Sequence, residues 1–308
     1  MGIYIGTAIS KLRKHKGMTQ DQLADGICAV RQLFRIEHNQ NSPSAYILSE
    51  LSYRLGNELF DYIPYSTVEE VYELKQLIEE LMRLFNQHNH EAVYEMIKSN
   101  PILINTKCNH ARMELMWLRG SLSHYLEVDV EVNESYHLDT LSIKYDVDNV
   151  FDVFKYNLKP LDYRILNSLV VYYLSKKNDY NLAEQLLLEC ISSFEKNHNK
   201  ITDSSYPRFV YNLSRLYLNL NKLEKSLVYS KKGIDHLLSN GTIAFLPALY
   251  NLHGRALYQQ GHEEEGRECL LNYVNMRKLY NPNVKYEIVI RTLNEKYELG
   301  LDLPAIDE

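Results

Sequence analysis

Eleven histidines and 40 carboxylates make catalysis or metal binding the first chemistry to weigh. The densest cluster is His88-Asn89-His90-Glu91, but side chains two apart on a helix diverge, and the segment reads as a turn. His262 with Glu263, Glu264 and Glu265 reads as the solvated first turn of a helix, whose N-terminus favours acids. No H-E-x-x-H, G-x-S-x-G or glycine-rich phosphate loop is present, so no catalytic residue, metal site or cofactor is expected and the chain does not read as an enzyme. A different chemistry sits in Val30-Arg31-Gln32-Leu33-Phe34-Arg35-Ile36-Glu37. An arginine fork matches the edge of guanine and a glutamine amide that of adenine, so Arg31, Gln32 and Arg35 are candidate readers of DNA bases. Gln20, at the start of the preceding helix, suits a phosphate contact that fixes register without reading sequence. Ser44, at the head of the next helix, completes the candidate DNA-binding set.

Those side chains need a scaffold, and the surrounding pattern supplies one. A first helix is expected from about Ile3 to Lys16, with Ile5, Ala8, Ile9 and Leu12 on one face and Gly17 ending it. Thr19 is placed to N-cap a second helix, with Gln22 completing a capping box. After the tight connection at Gly26-Ile27, Leu23, Ala24 and Ile27 pack against Leu33 and Ile36, which turns Arg31, Gln32 and Arg35 outward. That is the arrangement of a helix-turn-helix whose second helix enters the major groove. Asn39 tolerates the left-handed conformation of a helix C-cap. A fourth helix follows Pro43 with Ser44 as N-cap and Ile47, Leu48, Leu51 and Leu55 as its stripe. Over residues 3 to about 62 the order and spacing resemble the DNA-binding domain of lambdoid repressors. In those domains the residues matching Arg13 and Glu37 form an internal salt bridge, which implies a structural role for both here. Ala29 stands where such domains commonly carry Ser or Thr, so a phosphate contact or cap is missing.

Composition bounds the rest. The 308 residues hold 45% hydrophobic side chains but only 12 Gly and 8 Pro, which favours helices over a turn-rich sheet protein. Twenty-five tyrosines offer apolar bodies with hydrogen-bonding tips, suited to helix packing and groove lining. Cys28, Cys108, Cys190 and Cys269 lie far apart with no C-x-x-C pair, as expected of reduced thiols in a cytoplasmic protein. No apolar run approaches the ~18 residues of a membrane helix, and no signal-peptide core opens the chain. The formal charge is −6, unevenly spread: residues 1–65 carry seven Lys/Arg against six Asp/Glu, leaving 27 and 34 for the remainder. Basic residues gather at Lys11–Lys16 and on the candidate recognition helix, where phosphates and bases would lie. So weakly basic a domain calls for two copies on DNA.

Beyond Tyr65 the pattern is one of helix pairs. Ser66-Thr67-Val68-Glu69 has the form of a capping box, expected to open a long helix with Val71, Leu74, Leu77, Ile78, Leu81 and Leu84 inward. A shorter helix is expected near 91–98, then segments at about 109–126, 134–145, 161–176, 179–196, 205–219, 222–238, 243–259, 262–280 and 284–299. Asn178, Asn221 and Gly261 mark equivalent turns, and five residues after each comes a small residue, Ala183, Ser226 and Gly266. Ser214 and Gly254 supply small residues in the preceding helices. Small side chains recurring where helices cross indicate a solenoid, and the pattern resembles degenerate tetratricopeptide repeats. Arg208, Asn212, Arg215 and Asn219 form a polar stripe, with Phe209, Leu213, Leu216 and Leu220 as the packing surface beside it. Asn251, Arg255, Tyr258 and His262 continue a polar line on the next pair. Such a stripe on a concave wall could hold an extended peptide backbone. A solvated face is the alternative.

A repressor-like helix-turn-helix joined to about five helix pairs resembles the Gram-positive peptide-pheromone receptors of the Rgg, PlcR and PrgX type. The resemblance extends over nearly the whole chain, carried by Thr19-Gln20, Leu23-Ala24, Val30 to Leu33, Arg35 to Glu37, and Tyr211-Asn212 before Leu216-Tyr217-Leu218. It implies an all-α chain: a lambda-repressor-like domain over 1–65, a tetratricopeptide-like right-handed α-solenoid over 66–300 for peptide binding and dimerisation, and a tail at 301–308. It also implies a cytoplasmic quorum-sensing regulator, homodimeric on an inverted-repeat operator in double-stranded DNA, switched by a short imported signalling peptide and making no use of membrane. Asn212 takes the position of the asparagine that holds the peptide backbone, with Arg208, Arg215 and Asn251 around it, and Tyr286 matches a peptide-contacting tyrosine. Basic residues near the end of the long helix are replaced here by Asn86 and His88, and a glutamine of a later repeat by Ala248, so the cognate peptide differs. Two other functions fit parts of the chain: a Rap-like scaffold acting on a partner protein, and a peptide-independent dimeric repressor.

Overall fold

The computed structural model describes residues 3–197, 205–280 and 287–300, and every element among them is helical. The chain separates into two compact units, Met1–Asp148 and Asn149–Glu308. The expected tail at 301–308 lies outside the described residues.

The first unit opens with α1 (Ile5–His15), α2 (Gln20–Ala24), α3 (Val30–Glu37) and α4 (Ala45–Leu55). Ile5, Ala8, Ile9, Leu12, Leu23, Ala24, Leu33, Ile36, Leu48, Leu51 and Leu55 are buried, the same residues whose helical spacing marks them as core. Gly17 ends α1 at φ 66°, and Met18 N–H returns to the Arg13 carbonyl at 3.1 Å, a C-cap that needs a left-handed residue. Asn39 takes that role after α3 at φ 55°. Gly6 has a different reason to be glycine: a Cβ there would lie 1.7 Å from the Ile36 carbonyl oxygen, so α1 and α3 touch backbone to side-chain position.

A 3-10 helix at Leu59–Tyr65 then leads to α5 (Val71–Asn86), α6 (His90–Ser99), α7 (Pro101–Asn105), α8 (Asn109–Leu122) and α9 (Glu134–Ser142). The capping box expected at Ser66 does not form. The Ser66 hydroxyl instead donates to the Ile63 carbonyl at 2.7 Å, and its own carbonyl accepts Tyr4 N–H at 2.7 Å. Burial of Tyr62 and Tyr65 drives this: the chain must tuck both rings inward, so α5 begins only at Val71, with no side-chain cap. The Tyr65 hydroxyl donates to the Glu114 carboxylate on α8 at 2.7 Å, and Lys11 on α1 pairs with Glu73 on α5. The helix-turn-helix is therefore seated on the helices that follow it within this unit.

The second unit begins with a 3-10 turn at Val150–Lys155, followed by α10 (Pro160–Tyr172), α11 (Tyr180–Asn197), α12 (Ser205–Asn219), α13 (Leu223–Ser239), α14 (Leu246–Gln260), α15 (Glu263–Tyr280) and α16 (Glu287–Tyr297). A single π-helical turn, Tyr173–Lys177, extends α10. Asn178, Asn221 and Gly261 all adopt left-handed conformations, with φ 55°, 55° and 95°, which confirms them as equivalent turns between the helices of three pairs. The small residues sit at the crossings. Ser214 and Ser226 are fully buried and share hydrogen bonds of 3.0 Å. A Cβ on Gly254 would lie 2.8 Å from the Gly266 carbonyl. The first helices of successive pairs, α10 with α12 and α12 with α14, pack on one another, whereas α11, α13 and α15 show no comparable packing among the described residues. First helices closer together than second helices is the geometry of a superhelix with the first helices on its inner wall.

Candidate functional site

Two sets of side chains carry the candidate chemistry, one in each unit. In the first, Thr19 Oγ1 accepts Gln22 N–H at 3.1 Å and Gln22 Oε1 accepts Thr19 N–H at 2.8 Å, so the capping box fixes the start of α2. Leu33 and Ile36 anchor α3 from beneath, leaving Arg31, Gln32 and Arg35 exposed side by side with Val30 and Phe34. Ala29 begins α3 with no side-chain cap. Ser44 caps α4, its Oγ accepting Ile47 N–H at 3.3 Å, and remains at the surface.

Beneath this surface lies a charged tie. Arg13 Nε and Nη2 donate to Glu37 Oε1 and Oε2 at 2.6 and 2.9 Å, and Arg13 Nη1 donates to the Met18 carbonyl at 2.7 Å. Both side chains are nearly closed to solvent. Burial pushes the Glu37 carboxyl up, but the hydrogen bonds from Arg13, Gln20 and Ser10 and the guanidinium charge outweigh it and hold it below the usual range. Gln20 Nε2 donates to Glu37 Oε2 at 2.7 Å. Gln20 is thus held by α3, and its second amide hydrogen and the helix N-terminus remain as donors for a phosphate. Of the basic residues gathered at Lys11–Lys16, Lys11 and Arg13 are committed to ion pairs inside the unit, and Lys14 and Lys16 stay exposed. Arg54 is also structural: its guanidinium donates to the Leu23 carbonyl at 3.2 Å and to that of Asp25, closing the end of α2.

Asn86 and His88 lie at the surface where α5 ends, His88 in the turn at φ 60°. The His88–Glu91 cluster does span a turn, as its pattern implied: Asn89 caps α6, and His90 stacks on Tyr125 with ring centroids 3.9 Å apart. No group of three His, Cys, Asp or Glu is arranged to hold a metal ion among the described residues.

In the second unit, Asn212 is buried in α12, and its Nδ2 donates to Asn167 Oδ1 on α10 at 3.0 Å. Asn251 on α14 has a buried Oδ1 without a hydrogen-bond partner. These three asparagines stand eleven, nine and ten residues before the equivalent turns at Asn178, Asn221 and Gly261. Asn167 was missed in the sequence, because its distance from the turn is not the same as that of Asn212 or Asn251 and no fixed spacing leads to it. Arg208 lies over the Phe245 ring at 5.4 Å and Arg215 over Tyr211 at 5.6 Å. Arg208, Asn212 and Arg215 occupy the side of α12 away from Val210 and Ser214, the residues that meet Gly233 and Ser226 of α13.

Three sequence expectations need correction here. Leu220 is exposed beside the turn, whereas Phe209, Leu213 and Leu216 are buried as expected. Tyr258 packs edge-on against Tyr297 of α16 at 5.0 Å and so leaves the polar line. His262 sits in the turn ahead of α15, beyond the end of α14. Asn219, the exposed last residue of α12, keeps the helical spacing that puts it on the face of Arg208, Asn212 and Arg215. Tyr286 lies outside the described residues.

Residues 9–60 match the helix-turn-helix family. No curated protein matches the chain. Among solved structures, PlcR of Bacillus thuringiensis, crystallised with the peptide PapR7 and DNA, is 19% identical with a TM-score of 0.66, covering 90% of this chain and 96% of its own. The SHP pheromone receptor Rgg2 of Streptococcus dysgalactiae is 15% identical with a TM-score of 0.53, covering 96% and 100%. ComR of S. thermophilus, in complex with DNA and its signalling peptide ComS, is 17% identical with a TM-score of 0.52, covering 96% and 100%. At these identities the likeness is one of fold: a helix-turn-helix followed by helical repeats.

Proposed function

We propose that this chain is a cytoplasmic transcription regulator in which residues 1–65 read double-stranded DNA and residues 66–300 receive a short signalling peptide that sets the DNA-binding state. The observation that carries this reading is a pairing on one chain. A rigidly backed α3 presents Arg31, Gln32 and Arg35 to solvent, and a repeat face places Asn167, Asn212 and Asn251 on three successive first helices. A side-chain amide donates and accepts at once, which suits the alternating N–H and C=O groups of an extended peptide. The fold shared with PlcR, a protein crystallised with both a peptide and DNA, supports the combination.

The weak positive charge of residues 1–65 favours a homodimer on an inverted repeat, with each α3 in one half-site. A peptide spanning several repeats favours one curvature of the superhelix, and operator binding favours one separation of the two DNA-binding domains. Differential affinity for those shapes then couples the sites, and the coupling is reciprocal. A scaffold acting only on a partner protein would have no use for the outward face of α3.

The test is selection of duplexes from a random pool by the full-length chain, followed by footprinting. An inverted repeat with half-sites about one helical turn, or a multiple of it, apart is expected. Arg31→Ala and Gln32→Ala should each alter base preference by about 1–3 kcal/mol. Selection of no sequence over background would refute the DNA-reading half of the proposal.

A further inference from the structure

The inner wall of the repeats has a charge character that the whole chain does not share. α12 and α14 contain no Asp or Glu, and α10 contains only Asp162. Asp162 is buried, and its Oδ2 accepts Lys159 N–H at 2.7 Å, capping its own helix. The same three helices carry Arg164, Arg208, Arg215 and Arg255. Carboxylates are displaced to the second helices, with three on α11, two on α13 and four on α15. In a chain of net charge −6 this segregation leaves one face basic.

Each arginine also neighbours an asparagine of the candidate peptide wall. Arg164 precedes Asn167 by three residues, Arg208 and Arg215 flank Asn212 by four and three, and Arg255 follows Asn251 by four. Residues at those spacings share a helix face. Three arginines outside this wall are neutralised by carboxylates: Arg13 by Glu37, Arg83 by Glu80, and Arg267 by Glu263, Glu264 and Glu298. Arg215 and Arg255 have no carboxylate partner among the described residues, although both are half-buried. Arg215 is steadied by the Tyr211 ring. Stacking on an aromatic face fixes a guanidinium while leaving its N–H donors open to an acceptor.

We propose that the peptide received by this wall is acidic, its carboxylate held by Arg215 and Arg255 while the asparagines hold its backbone. This rests on the peptide-receptor reading above. The ligand chemistry is a carboxylate, supplied by the peptide C-terminus or by an Asp or Glu side chain. A half-buried guanidinium without a counter-charge gains most from such a partner, because bidentate Arg–carboxylate hydrogen bonds strengthen away from bulk water.

The experiment uses the full-length chain and four synthetic heptapeptide pools built from the same uncharged residues, with retention read by mass spectrometry. One pool has a free C-terminal carboxylate and one a C-terminal amide. The third has the amide plus one Asp or Glu, and the fourth the amide plus one Lys. Retention of the first or the third pool at least tenfold over the neutral amide and lysine pools is expected, and which of the two is retained identifies the source of the carboxylate. That preference should shrink as salt is raised and be lost in Arg215→Gln and Arg255→Gln, with helical content unchanged by circular dichroism. Equal retention of all pools, or a preference for the lysine pool, overturns the acidic specificity and leaves the receptor reading standing. Retention of none overturns both.

Discussion

Replacing Arg13 by alanine removes the one cation from a nearly closed site and leaves the Glu37 carboxylate with only Gln20 and Ser10 as donors. Breaking a buried pair by deleting one partner costs about 3–5 kcal/mol, because the remaining charge is uncompensated. At about 2–4 °C per kcal/mol for a unit of ~150 residues, the melting transition of the first unit should fall by roughly 10 °C. Trp117, the chain's single tryptophan, lies in that unit and gives a fluorescence readout. The pH dependence has a definite sign. In the native chain Glu37 is held below its usual range, so its contribution is present above the unfolded value near 4.5 and is lost as pH falls through the folded value. In Arg13→Ala the burial that raises the carboxyl is opposed only by the hydrogen bonds from Gln20 and Ser10, so far less stabilisation remains to be lost as pH falls. The gap between the two proteins should therefore narrow between pH 7 and pH 4. The double variant Arg13→Met, Glu37→Leu should recover most of the loss, since no charge is left buried. A loss below about 1 kcal/mol, the worth of an exposed ion pair, with a gap unchanged by pH, would refute the claim that this pair ties α1 to α3.

Gln20→Ala should weaken binding to all DNA sequences alike and should also destabilise the first unit by about 1.5–3 kcal/mol, the worth of a hydrogen bond to a charged group, read by parallel anisotropy and denaturation curves. Gly266→Ala places a Cβ 2.8 Å from both the Gly254 carbonyl oxygen and the Tyr258 nitrogen, backbone atoms that cannot rotate aside, so about 1–3 kcal/mol of overpacking strain should appear in the melt of the second unit. Asn212→Ala loses the bond to Asn167 at a cost of about 0.5–1.5 kcal/mol but should abolish binding of every retained peptide pool, acidic or neutral, as measured by calorimetry, while DNA binding without peptide persists.

Local chemistry decided which parts of this chain could be read in advance. Thr19, Gln22 and Ser44 announce helix starts through hydrogen bonds to nearby backbone, Asn39 announces a helix end through its tolerance of a left-handed conformation, and all four act as expected. The repeat register was legible because left-handed turns and close crossings restrict residue type at Asn178, Asn221, Gly261, Ser226 and Gly266. Ser66 misled because a capping-box pattern carries no information about tertiary burial, and the neighbouring tyrosines claimed the segment. The 3-10 helix at Leu59–Tyr65 and the short α7 lack a full hydrophobic period, so no spacing revealed them. In the candidate sites, exposure of Arg31, Gln32 and Arg35 followed from the α3 stripe. The engagement of Gln20 with Glu37, Lys11 with Glu73 and Arg54 with the end of α2 depends on contacts 17 to 62 residues apart, which no local pattern encodes.

The most direct test of the account is the affinity of the full-length chain for a duplex selected from the random pool, measured by fluorescence anisotropy with and without a heptapeptide taken from the retained pools. The account predicts that saturating peptide changes DNA affinity by about fivefold or more, the lower end of ordinary allosteric coupling. It also predicts that DNA changes peptide affinity by the same factor, and that Asn212→Ala removes the effect. Peptide binding that leaves DNA affinity unchanged, or a response that survives Asn212→Ala intact, would contradict it.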